Sequence, residues 1–221
     1  MNSNNKRIKL IIPYYGIWPN YFDFFIESVN QNQIIDVLYV TDLELPRFCN
    51  ESHSVFHISF GEVKKLVKSK FPFYVNLDSP RKLCDLKPLY GVLFEEHIKD
   101  YDFWAFGDLD LMFGDLDNLL PELLDKHDVL TFHDKWLSGP LTIFRNENSI
   151  NRIYEKSKDL ENIFANPKYV SFDECGYAYG PLSQNESILD IERKIDCMFY
   201  LLSKENKDNR LRFYKEYLIK E

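Results

Sequence analysis

Two aspartates one residue apart, Asp108 and Asp110, close the apolar run Phe103-Trp104-Ala105-Phe106-Gly107. In extended backbone, residues i and i+2 point to the same side, so both carboxylates can face one point just beyond a strand. Two hard oxygen donors, completed by water and phosphate oxygens, suit Mg²⁺ or Mn²⁺. A cation held there would bridge a nucleotide diphosphate and stabilise it as a leaving group. The spacing alone is weak, because nineteen aspartates in 221 positions give about 1.6 such pairs by chance. The chain has three. Asp100/Asp102 precedes the apolar run and reads as a solvated strand start. Asp115/Asp117 precedes Leu119, Leu120, Leu123 and Leu124, where a helix cap suffices. Only Asp108/Asp110 ends a buried strand, and from the residues alone a metal site and a solvated turn both stay open. A calcium EF-hand does not fit. Counted from Asp108, the glycine and the bidentate glutamate of that loop would be Phe113 and Leu119.

The elements that must position this pair follow from apolar patterning. Ile8 to Ile12 reads as a buried strand closed by Pro13, and Pro19 suits a helix start with Tyr21, Phe24, Phe25 and Val29 on its apolar face. Ile35 to Val40 and Val55 to Ile58 are further strands. Asp85 can cap a helix through Ile98, with Pro88 tolerated in the first turn. Strands follow at Phe103 to Phe106, Val129 to Phe132 and Leu141 to Phe144, with helices over 116–125 and 149–160. This alternation predicts an α/β sandwich with a largely parallel sheet. Ligands of such sheets sit off the carboxyl ends of the strands. Those ends carry Pro13-Tyr14-Tyr15-Gly16, Thr41-Asp42 and Gly107-Asp108-Leu109-Asp110.

Composition narrows the function classes. With 27 Lys+Arg against 35 Asp+Glu the net charge is −8, and no basic stripe stands out, which argues against nucleic acid as the partner. At 45% hydrophobic and 16% aromatic residues the chain can bury a sizeable core. Its length fits one domain, spanning residues 1–221. Cys49, Cys84, Cys175 and Cys197 lie far apart with no zinc spacing, as reduced thiols of a cytoplasmic protein would. The apolar stretch behind Lys6, Arg7 and Lys9 stops at Pro13, short of the roughly 7–15 residues a signal peptide needs. No run approaches the roughly 18 apolar residues of a membrane span.

The string Lys82-Leu83-Cys84-Asp85-Leu86-Lys87-Pro88-Leu89-Tyr90-Gly91, followed by Tyr101-Asp102-Phe103-Trp104-Ala105-Phe106-Gly107-Asp108-Leu109-Asp110, resembles bacterial GT-A-fold glycosyltransferase-like proteins of capsule and lipopolysaccharide gene clusters. The resemblance runs from Ile11 to Glu174. It implies a Rossmann-like three-layer α/β sandwich with a mixed, mainly parallel sheet. It also implies a metal-dependent transfer of a sugar from a nucleotide diphosphate, by analogy UDP, to a glycan or lipid-linked acceptor. Asp108 and Asp110 then match the motif that holds Mn²⁺ or Mg²⁺. Pro13, Tyr14, Tyr15, Gly16, Thr41 and Asp42 match the loops bordering the nucleotide, with Tyr14 or Tyr15 placed to stack on the base. Asp85 and Lys87 match an element near the ribose and phosphates, although Cys84 replaces its serine and Lys87 its arginine.

Trp136, Ser138 and Gly139 match a loop that faces donor and acceptor sugars. The Asp173-Glu174 pair matches the position of a base that takes the acceptor's proton if configuration inverts. Many relatives complete the metal shell with a C-terminal histidine. No histidine follows His133 here, so the resemblance implies a missing C-terminal segment, another subunit, or His133 as a stand-in. A non-catalytic nucleotide-sugar-binding module is the alternative in a different class. A haloacid-dehalogenase-type phosphatase also sets Asp-x-Asp after a strand, but near the N-terminus and before a small residue, where this chain has Leu111-Met112. Lipid-linked acceptors would bring the protein to the inner membrane face as a peripheral contact, with no amphipathic anchor helix evident.

Overall fold

The computed structural model describes residues 6–216; residues 1–5 and 217–221 of the expected 1–221 domain lie outside it. Seven strands form one open sheet. They are β1 (Ile8–Pro13), β2 (Ile35–Thr41), β3 (His53–His57), β4 (Phe103–Gly107), β5 (Val129–Thr131), β6 (Leu141–Arg145) and β7 (Phe213–Lys215). Their order is β3-β2-β1-β4-β6-β5-β7. Only β6 runs against its neighbours β4 and β5; the other pairings are parallel. The expected mixed, mainly parallel α/β sheet is therefore present.

Strand alternation divides the core in two. Ile8, Leu10 and Ile12 of β1 and Phe103 and Ala105 of β4 pack with Phe22 and Phe25 of α1 (Phe22–Asn30). Ile11, Trp104 and Phe106 face the opposite cluster, which includes Val63 and Val67 of α2 (Phe60–Lys70). Both faces of the central strands are covered, which is why their sequences read as continuous apolar runs.

The helix expected from Asp85 to Ile98 is broken. After a 3₁₀ turn at Pro80–Lys82 come α3 (Leu83–Leu86), a second 3₁₀ turn at Lys87–Leu89, α4 (Tyr90–Leu93) and α5 (Glu95–Ile98). Pro88 has no N–H to continue the ladder. The stretch also presses onto β4 so closely that a Cβ at Gly91 would lie 2.7 Å from the Trp104 indole. On the other face, α6 (Leu116–Lys126) is capped by Asp115, which accepts from Asn118 N at 3.1 Å. The expected 149–160 helix is instead α7 (Asn148–Asn151), a 3₁₀ turn at Ile153–Lys156 and α8 (Leu160–Ala165). The break falls where Ser157 Oγ donates to Asp196 O (2.8 Å) and Asp159 accepts from Asp196 N (2.7 Å), side-chain bonds that compete with a helix. Beyond lie α9 (Tyr179–Ser183) and α10 (Met198–Lys207). Among the described residues no helix is long and apolar enough to cross a membrane.

Candidate active site

From β1 the chain crosses outward to β2 and β3, then returns to β4 on the other side of β1. The carboxyl ends of β1 and β4 thus flank a topological switch point, where open α/β sheets bind ligands. A crevice of about 220 Å³ opens there, lined by Pro13 and Tyr14 from β1, Asp108 and Asp110 from β4, and Cys84 and Lys87 from the broken helical stretch. Leu109 between the two aspartates is buried while Asp108 is half-buried and Asp110 exposed. β4 ends at Gly107, so this alternation belongs to the bend that follows the strand and not to the strand itself.

Lys87 is the hub. Its side chain is 7% exposed, and its ammonium donates to Asp108 Oδ1 at 2.7 Å and to Gly139 O at 2.9 Å. Desolvation pulls its pKa down, but the Asp108 and Asp173 carboxylates outweigh that and hold it above the ordinary lysine value. Lys87 is a fixed cation on the crevice wall. Cys84 beside it is inert, its thiol pushed up to about 11 by burial.

Gly139 joins this hub to the acidic pair. A Cβ at Gly139 would stand 2.5 Å from Glu174 Oε1, so only glycine lets that carboxylate come so near the backbone. Tyr179 donates its hydroxyl proton to Glu174, and Tyr169 donates to Asp173 Oδ1 at 2.8 Å. Asp173 is 1% exposed, and burial pushes its carboxyl well above the usual range although Lys87 pulls the other way. Ser171 (φ 60°) and Tyr177 (φ 63°) bracket the pair in the left-handed region that side chains rarely adopt. The loop is held in an unusual shape around two carboxyl groups.

Asp85 sits elsewhere than the resemblance implied. It is fully buried, pairs with the equally buried Lys82 at 2.9 Å, and accepts from Val170 N and Phe172 N, both at 2.9 Å. Lys82 also donates to Ile163 O (2.7 Å) and Lys168 O (3.0 Å). With its oxygens committed to these donors and none of its surface exposed, Asp85 fastens the segment leading into Asp173 and does not line the switch-point crevice. Tyr14 stacks on Trp18 (centroids 5.0 Å) and lines the crevice. Tyr15 turns away to pack on Phe60 at 5.4 Å. Thr41 is buried, its Oγ1 accepting from Leu43 N (3.2 Å), while Gly16 and Asp42 are exposed.

Trp136 is half-buried between His133 (3.9 Å) and Tyr179 (5.2 Å). Ser138 shapes its turn: its amide donates to Thr131 Oγ1 (2.7 Å) and its Oγ accepts from Leu141 N (3.4 Å). His133 Nδ1 accepts from its own loop, from Lys135 N at 3.1 Å. Among the described residues no group of three or more His, Cys, Asp and Glu side chains gathers to hold a metal. Asp108 and Asp110 nevertheless suit a Mg²⁺-like ion, which takes one or two carboxylates and leaves its other positions to phosphates and water. Lys82, Tyr169 and Tyr179 are the residues that sequence reasoning missed. The Lys82/Asp85 spacing and the string Tyr177-Ala178-Tyr179 behind the acidic pair were their signals.

Residues 10–217 match a protein family described as a family of unknown function, DUF6625. No curated protein matches the chain.

Proposed function

For a chain that belongs to DUF6625, a family of unknown function, the role must come from its own residues, and we propose a metal-dependent glycosyltransferase that uses a nucleotide-diphosphate sugar. One observation carries this reading: the switch-point crevice has two carboxylates on its rim, a buried ammonium on its wall and a second acidic pair adjoining through Gly139. The mainly parallel sheet with a reversed β6 supports it as well.

Asp108 and Asp110 would hold Mn²⁺ or Mg²⁺, which when bound supplies positive charge against the diphosphate leaving group. Lys87 adds a fixed charge to the same wall, preorganised because Asp108 and Gly139 O already orient it. Tyr14 offers the nucleobase a ring already stacked on Trp18. In the transfer, the acceptor hydroxyl oxygen bonds to the anomeric carbon. The bond from that carbon to the diphosphate breaks, and its electron pair leaves with the phosphate. If configuration inverts, the acceptor's proton goes to a carboxylate. Asp173, buried and pushed towards its protonated form, is a poor base. Glu174, half-buried and oriented by Tyr179, is the better placed of the two.

The Lys87–Asp108 contact also favours a second reading, a nucleotide-sugar-binding module without turnover, since it already neutralises one of the two rim carboxylates. Titration of UDP with and without Mn²⁺, followed by assay of UDP release from UDP-sugars, separates the two. The transferase requires Mn²⁺-dependent UDP binding that Asp108→Asn removes, together with UDP release. Binding with no release from any UDP-sugar favours the module. Absent or Mn²⁺-independent binding sinks the metal-dependent transferase.

A further inference from the structure

A second cavity opens at the same edge of the sheet, off the carboxyl ends of β5 and β7, with a volume of about 380 Å³. It is large enough for a small ligand. In a chain of net charge −8, three lysines converge on it: Lys135 after β5, Lys207 at the end of α10 and Lys215 at the end of β7. Two carboxylates also line it. Asp134 answers Lys135 at 3.2 Å, and Glu186 lies exposed on the rim. The ammonium groups of Lys207 and Lys215 have no hydrogen bond or salt bridge among the described residues. Lys215 instead lies 5.4 Å from the Phe199 ring. Burial lowers its pKa and Lys135 adds like-charge repulsion, with Asp134 opposing both. An anion between these lysines would relieve that crowding.

The remaining wall is suited to a sugar. Phe213, half-buried and backed edge to face by the buried Phe199 at 6.2 Å, gives the wall an apolar part for the C–H groups of a pyranose. Asn206 Oδ1 accepts from Phe213 N at 3.1 Å, which leaves its amide protons as donors. The cavity also adjoins the acidic pair. Tyr179 of α9 bonds to Glu174, and Leu182 of the same helix lines the cavity. One short helix therefore touches both the acidic pair and the cavity wall.

We propose that this cavity binds a saccharide bearing an anionic group, a carboxylate or a phosphate, as the recognition element of the acceptor. Its assignment to the acceptor rests on the transferase reading; the binding itself does not. The test is isothermal titration of the full chain with glucuronate, glucose 1-phosphate and uncharged glucose, and the same titrations on Lys207→Gln/Lys215→Gln. Either or both charged sugars are expected to bind and glucose not, and which one binds more tightly identifies the anionic group. The double variant, altered only at exposed lysines, is expected to lose about tenfold or more in that affinity with UDP binding unchanged. Glucose binding as tightly as the charged sugars, no binding by either charged sugar, or an unaltered double variant would overturn the proposal. If UDP with Mn²⁺ fails to bind while the charged sugars do, the transferase reading falls and the anionic-saccharide site stands.

Discussion

Two lysine–aspartate pairs lie within one short stretch of helical turns and do opposite things. Lys82 and Asp85 are sealed, with no exposed side-chain surface on either partner, and beyond their mutual contact two backbone carbonyls take the ammonium's protons while two backbone amides donate to the carboxylate. Lys87 is almost as hidden at 7% exposure, but its partner Asp108 is 41% exposed. The difference teaches that residue type does not distinguish a buried clamp from a pair that borders a crevice. What distinguishes them is whether each charge has every partner it can hold. A saturated pair fixes geometry, and a half-satisfied pair at a crevice has capacity left for a ligand.

The largest way to break this contrast is Lys82→Met. It strands the Asp85 carboxylate in the core, where losing one partner of a buried pair costs about 3–5 kcal/mol. Urea unfolding should show that loss, and a cost below about 1 kcal/mol would mean the pair is not sealed. Asp108→Asn at the open pair is the matched control. Lys87 keeps Gly139 O and a neutral acceptor at residue 108, so the stability loss should be only about 1–2 kcal/mol by the same measurement.

Gly139→Ala tests whether the open pair and the acidic pair form one unit. The added methyl would strike Glu174 Oε1, an overpacking that costs about 1–3 kcal/mol. A crystal structure of the variant should show Glu174 displaced; an unmoved carboxylate would mean that the two pairs are independent.

The smallest effect sits on two arginine–carboxylate clusters away from the crevice, whose carboxylates are buried or nearly so while Arg210 and Arg212 are exposed. Against the pull of burial, Arg212 and Arg145 hold the Asp128 carboxyl down at about 2. Arg210, aided by Lys156, holds Glu205 at about 2. Both lie below the ordinary values near 4, so the folded state binds fewer protons than the unfolded chain. Their stabilisation is complete above about pH 4 and is lost as pH falls towards 2. Arg210→Gln with Arg212→Gln should move the acid-unfolding midpoint up by about half a pH unit, read by circular dichroism.

The central fold was legible because β1, β2 and β4 are buried on both faces and stand out as apolar runs. The crevice was legible for the same reason, since it lies where those runs end at Pro13-Tyr14 and Asp108. The start of α2 is written in a capping box, Ser59 with Glu62, although apolar periodicity does not single that helix out. Strand β7, only three residues long and half-exposed, has too little pattern to read. The role of Asp85 was illegible for a different reason. Its partners Val170 and Phe172 lie 85 and 87 residues downstream, and nothing in the local sequence encodes a contact at that range. Asp173 and Glu174 could be picked out as a pair, but their unequal burial is set by Tyr169, Tyr179 and Gly139 and exists only in three dimensions.

The reach of the Lys82–Asp85 clamp also orders events during synthesis. Both charges leave the ribosome long before the carbonyls and amides that will take them out of water, which arrive 81 to 87 residues later. At about 5–20 residues per second that interval is roughly 4–17 s. Until then the two side chains stay hydrated, since burying them without those partners is costly, and the turns that carry them lack their anchor. The switch-point crevice is therefore a late product of translation, completed only when the chain through Phe172 has been delivered.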